Sequence, residues 1–131
     1  MYIVVNFIIG SFLILHGLVP LLYFGHSARY YELTPRLAWP DESWMLGKHI
    51  KTKNIRSMAS ILCIVAALGF IFGGIGYITE YLWIELVIGT TAVFSSLIYL
   101  LFWNGIFSNL DAQGGVGVLI NLAIIALIFL Y

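Results

Sequence analysis

The sequence predicts an all-α protein, an integral membrane four-helix bundle with a cytoplasmic interfacial helix between helices one and two, folded as a single transmembrane domain over residues 1–131. Three observations predict it. Hydrophobic residues make up 62% of the chain and charged residues only 9%, too few charges to cover the surface of a soluble domain. Four stretches approach or exceed the roughly 20 apolar residues that cross a bilayer. All six Lys and Arg residues (Arg29, Arg36, Lys48, Lys51, Lys53 and Arg56) lie in one window between the first and second stretches.

The first span is expected over residues 2–24. It has no basic n-region and no small-x-small cleavage site, and so reads as a retained helix and not as a signal peptide. The loop over residues 25–56 holds every basic residue, which the positive-inside rule assigns to the cytoplasm. Within it, Pro40, Asp41 and Glu42 ahead of Ser43 to Ile50 have the order of a helix start, with Pro in the first turn and acids at the positive dipole end. An interfacial helix is expected there, dipping Trp39, Trp44, Met45 and Ile50 into the headgroup layer. The second and third spans, 57–78 and 82–102, are joined by a tight turn and must form an antiparallel hairpin. The fourth, 115–131, is short and leans on its neighbours or on a thinned bilayer. With the basic loop inside, both termini fall outside, as expected for a multi-pass protein of the plasma (inner) membrane. Tyr2, Tyr23, Tyr77, Tyr81, Trp83, Trp103 and Tyr131 mark the interfaces, where amphipathic rings sit between acyl chains and headgroups.

Lipid is as apolar as Leu, so spans associate through close backbone approach and polar contacts. Each span carries a small or polar stripe at helical spacing: Asn6, Gly10, Leu13, Gly17 and Pro20; Ala59, Cys63, Ala66, Gly69, Gly73 and Gly76; Gly89, Ala92 and Ser96; Gly117, Asn121 and Ile124. Gly69, Gly73, Gly76 and Gly89 are the expected helix-packing glycines. The GxxxG pair Gly69 and Gly73 also suits a homo-oligomer, because the motif does not specify its partner.

Aligning the spans by orientation brings His16, Cys63, Ser95, Ser96 and Asn121 to similar depth in the inner half, with Tyr99 beside them. These are the candidate ligand-binding residues. His16 is the sharpest, since imidazole changes charge near neutral pH and can donate, accept or ligate; the plainer reading is a neutral His16 that bonds Asn121, a Ser or a carbonyl and locks helix register. At the cytoplasmic mouth, His26, Trp39, Trp44, Asn104 and Asp111 are candidates to converge. An outer layer of Asn6, Thr79, Glu80 and Glu85 reads as interfacial, with Glu85 favoured by a helix N-terminus.

Function classes are thinned by what is missing. There is no Ser/His/Asp order, HExxH or paired carboxylate at one depth, so no catalytic motif is identified. Cys63 is the single cysteine, without a CxxC or Cys/His cluster for metal. A net charge of zero gives no case for nucleic acid.

The stretch GSFLILHGLVPLLYFG, Gly10 to Gly25, resembles the first helix of DoxX-type small membrane proteins, with an HG pair in a Leu-rich span that ends on an aromatic residue and Gly. The four-span length is similar too. The resemblance implies a four-helix membrane bundle associated with quinone-linked sulfur or thiol oxidation, and His16 matches the HG position. The WPDESW and LFWNG stretches look more like an uncharacterised family of small prokaryotic membrane proteins. Three functions are therefore expected in order: binding of a lipophilic small molecule, such as a lipid or quinone, or of a membrane partner through a cytoplasm-facing pocket around His16; a quinone-facing subunit of a redox complex; and an oligomeric channel or carrier.

Overall fold

The apolar stretches fold as helices because a bilayer supplies no partners for free backbone N–H and C=O groups, and a helix satisfies them within the segment. The computed structural model describes residues 1–33 and 39–130. It contains α1 (Tyr2–Ser27), α2 (Thr52–Ile78), α3 (Ile84–Phe102) and α4 (Val116–Leu130), and no strand among the described residues. Arg36 of the basic window and Tyr131 of the aromatic belt lie outside the described residues. Four segments, Tyr2–Ser27, Thr52–Ile78, Ile84–Phe102 and Asp111–Leu130, are long and apolar enough to cross a membrane. Only 22–39% of each apolar window is buried within the chain. The outward faces carry Phe7, Leu15, Phe72, Leu97 and Leu119, all exposed, which water would penalise and lipid would not. The chain is a multi-pass membrane helix bundle.

Packing follows chain order, α1 on α2, α2 on α3 and α3 on α4, with α1 against α2 the most extensive contact. The reason is glycine. A Cβ on Gly10 would stand 2.6 Å from the Gly74 carbonyl oxygen, and one on Gly74 would stand 2.5 Å from that of Gly10, so the two backbones touch where any side chain would part them. Gly69, Gly73 and Gly76 face Thr91, Ile88 and Ile84 of α3, so the GxxxG pair is spent inside the hairpin. Gly89 departs from expectation. A Cβ there would meet nothing within 4 Å, so it makes no close approach.

Helix ends explain the short connections. At α1, the Tyr30 amide bonds the Gly25 carbonyl (3.0 Å) and the Arg29 amide bonds that of His26 (3.1 Å), a Schellman closure with Arg29 in the left-handed region at φ 64°. Phe24 and Tyr30 stack edge-on beside it, with ring centroids 5.9 Å apart. The end of α2 repeats the device with Glu80 at φ 54° and the Tyr81 amide on the Gly76 carbonyl. The α2 to α3 connection, 79–83, is thereby held short.

The expected interfacial helix does not form. Residues 39–50 are a run of turns, because a helix would need the Trp44 amide on the Pro40 carbonyl and that amide instead bonds the Trp103 carbonyl at 2.8 Å. Ser43 is likewise tied to α3, its hydroxyl donating to the Leu101 carbonyl (2.5 Å) and accepting from the Leu46 amide (3.2 Å). Tertiary hydrogen bonds have won over local helical ones. α2 starts at Thr52, a full turn before the expected boundary, since its first residues lie beyond the apolar run and still bury Ile55.

Candidate functional site

Two layers occupy the half of the bundle nearest the basic loop. In the deeper one, His16 Nε2 donates to Asn121 Oδ1 (2.7 Å), Asn121 Nδ2 donates to Ser96 Oγ (3.1 Å), and Ser96 donates to the Ala92 carbonyl (2.9 Å). One directional chain thus runs from α1 through α4 to α3. All three side chains are buried, and Phe70 meets the His16 ring edge-on at 4.8 Å. α1 and α4 make little or no backbone contact. This polar bridge therefore closes a seam that small residues do not.

Of the other residues expected in that layer, Cys63, Ser95 and Tyr99 make no hydrogen bond to it. Cys63 and Tyr99 belong instead to an aromatic chamber nearer the loop, walled by Tyr23, Phe102 and Ile55 over the small residues Ala59 and Ala66. Short side chains on α2 leave volume there. Trp39 fills it, reaching in from the loop and fully enclosed (0% exposed). Its indole meets Tyr23 and Phe102 edge-on at 4.9 and 5.9 Å, and Tyr99 at a tilt at 6.2 Å. The expectation that Trp39 lies in the headgroup layer is thus corrected: it is a plug in the bundle. Trp44 and Met45 stay at the surface, Trp44 donating from Nε1 to the Leu100 carbonyl (2.7 Å).

Two donors in the chamber are orphaned. Among the described residues, Trp39 Nε1 and the Tyr99 hydroxyl are buried without a hydrogen-bond partner; Ser95 lies beside Tyr99 but makes no bond of normal geometry to it. Tyr23, by contrast, donates to the Ala112 carbonyl at 2.6 Å. The turn it holds is shaped for the chamber. Gly114, at φ 97°, lies where a Cβ would run into the Tyr99 ring, so both its backbone and its neighbour require glycine.

The plug is fastened from the loop side. His26 Nε2 donates to the Trp39 carbonyl (2.8 Å) while Nδ1 accepts from the Leu33 amide (3.3 Å). Two residues beyond Trp39, Asp41 takes a bidentate pair from Arg56 (2.8 and 2.7 Å) and a further bond from Arg29. Burial raises the Asp41 carboxyl, but the hydrogen bonds and charges of Arg56 and Arg29 outweigh it and hold it below its ordinary value.

The remaining mouth residues are dispersed. Asn104 receives the Ile106 amide on Oδ1 and gives its own amide to buried Gln113, while Asp111 is exposed at the start of the turn into α4. Sequence reasoning gave no site role to Ser27 or Ser43, both buried; polar loop residues carry no signal that separates these from solvated ones. Asp41 was readable as a helix-start acid and as a polar residue of the mouth, but not as a clamp between Arg29 and Arg56. No group of three or more His, Cys, Asp or Glu side chains is placed to hold a metal among the described residues. No known protein family matches the chain, and no curated protein or solved structure is significantly similar to it.

Proposed function

We propose that this chain is a non-enzymatic membrane protein that binds a lipophilic, acceptor-bearing small molecule in the aromatic chamber, with Trp39 occupying the chamber when the ligand is absent. The observation that carries the reading is the pair of orphaned donors, Trp39 Nε1 and Tyr99 Oη. A buried donor without a partner costs about 1–3 kcal/mol, and native proteins rarely keep one without a use. That Trp39 comes from a loop and not from a span makes it displaceable without unpacking a helix. The basic window sets the chamber toward the cytoplasm, with both termini outside, in the plasma membrane of a prokaryote.

Tyr99→Phe is the informative variant, because it removes the donor without removing any hydrogen bond made among the described residues. Native mass spectrometry of protein extracted without delipidation is expected to show a co-extracted neutral lipophile whose retention falls about three- to tenfold in Tyr99→Phe, one hydrogen bond's worth, while thermal stability holds or rises. Repeated absence of any such lipophile, or equal retention in the variant, sinks the proposal.

A quinone is the second reading. Its two ring carbonyls offer an acceptor to each of the two donors, and the DoxX-like first helix agrees with it. As a subunit of a redox complex, the chain would co-purify with an oxidoreductase; isolation always alone counts against that role. A channel or carrier gains no such support, since the His16, Asn121 and Ser96 layer is hydrogen-bonded within itself and shielded.

A further inference from the structure

Outside the chamber, where α1 ends and α2 begins, an open groove of about 500 Å³ is lined by Arg29, Lys53 and Arg56, with Thr52, Ser57 and Ile61 among its walls. Its charge is lopsided. Asp41, the carboxylate bonded to Arg29 and Arg56, is shared between them, and Lys53 has no ion pair or hydrogen bond among the described residues. Three cations therefore face one carboxylate. The Thr52 and Ser57 hydroxyls also make no hydrogen bond among the described residues, and α2 begins without a side-chain cap or an acid in its first turn. Cations, free hydroxyls and the positive end of a helix together suit a phosphate group.

The groove also has a tail. Ile61 opens a stripe on the outward face of α2 that continues through Val65, Leu68 and Phe72, exposed by 62, 51, 47 and 63%. These positions recur at helical spacing over eleven residues, about 16 Å of rise, close to one leaflet of a hydrocarbon core about 30 Å thick. A free phosphate has no use for such a track.

We infer that this groove is a binding site for an anionic phospholipid of the bilayer, its headgroup phosphate on Arg29, Lys53 and Arg56 and an acyl chain along Ile61, Val65, Leu68 and Phe72. Different residues carry this site and the chamber, so either stands without the other. Lipid binding here tethers the loop that delivers Trp39, because Arg29 and Arg56 hold both the headgroup and Asp41.

The test uses the full chain in nanodiscs containing equal phosphatidylglycerol and phosphatidylcholine, released for native mass spectrometry. Phosphatidylglycerol is expected to be retained over phosphatidylcholine, with the preference reduced about fivefold in Lys53→Gln, the effect of one Lys at an anionic surface. Lys48→Gln, an exposed basic residue outside the groove, is expected to leave the preference unchanged. Millimolar inorganic phosphate is expected to displace nothing. No preference for the anionic lipid, equal losses in the two lysine variants, or displacement by inorganic phosphate overturns the inference. Lys53 is exposed and unpaired, so its substitution leaves the fold intact, and an unchanged helical circular dichroism spectrum verifies this.

Discussion

His16 was the residue most open to a functional reading, and its partners decide how it is tested. Its Nε2–H is used on Asn121, and Asn121 is used on Ser96. Such bonds within membranes are individually modest, averaging about 0.6 kcal/mol and reaching about 1.7, yet removing one partner strands the other in an apolar interior. Asn121→Leu is therefore expected to destabilise the bundle by about 1–3 kcal/mol, and His16→Leu by a similar amount. The double variant His16→Leu with Asn121→Leu is expected to be more stable than the sum of the two losses predicts, because neither polar group is then left alone. Unfolding from mild detergent measures this. Strict additivity would show that His16 and Asn121 do not depend on each other. Depth alone brought this trio together from the sequence, since polar groups in hydrocarbon seek one another. Depth did not exclude Cys63, Ser95 or Tyr99, because two residues at one level of a bundle can face different neighbours.

At the level of helices, close packing is localised at particular glycines and not spread evenly along a stripe. Gly74 sits against the Gly10 carbonyl and the side chain of Ile14, whereas Gly89 has open space around it. Gly74→Ala is expected to cost about 1–3 kcal/mol by forcing α1 from α2. Gly89→Ala is expected to change stability by less than about 1 kcal/mol and to favour the folded state, since Ala is the better helix former. Thermal unfolding of the two variants in one detergent compares them directly; equal losses would mean the α1 to α2 contact is not the tightest seam. Hydropathy made the four spans legible, because an unbroken apolar run has one stable form in lipid. The loop was not legible in the same way. A Trp beside Pro in a basic loop looks identical whether it rests on headgroups or enters a bundle, and what draws Trp39 inward is the small size of Ala59, Cys63 and Ala66, twenty or more positions along the chain. The missing interfacial helix has the same origin, as Ser43 and Trp44 bond to residues of α3 and the turn after it.

For the molecule as a whole, the Asp41 clamp joins three parts that the sequence separates: the end of α1 through Arg29, the start of α2 through Arg56, and the loop that carries Trp39. A carboxylate whose folded-state pKa lies below its ordinary value contributes stability that is present above that ordinary value and is lost as pH falls through the folded one. Asp41 is such a group. Its contribution is therefore complete at pH 7, begins to fade below about pH 4, and is gone once the carboxyl is protonated and the two arginines release it. The fully enclosed Trp39 indole is two residues away, so loosening of the loop is expected to expose it. Tryptophan emission recorded with Trp44, Trp83 and Trp103 replaced by Phe is expected to shift to the red on acidification below pH 4 and to return on neutralisation. In Asp41→Asn the same shift is expected already at pH 7, with a stability loss of about 1–3 kcal/mol for the charged hydrogen bonds and no further acid step. Emission that is blue and unchanged from pH 7 to pH 3 would show that the chamber holds Trp39 by packing alone, with the clamp only decorating its edge.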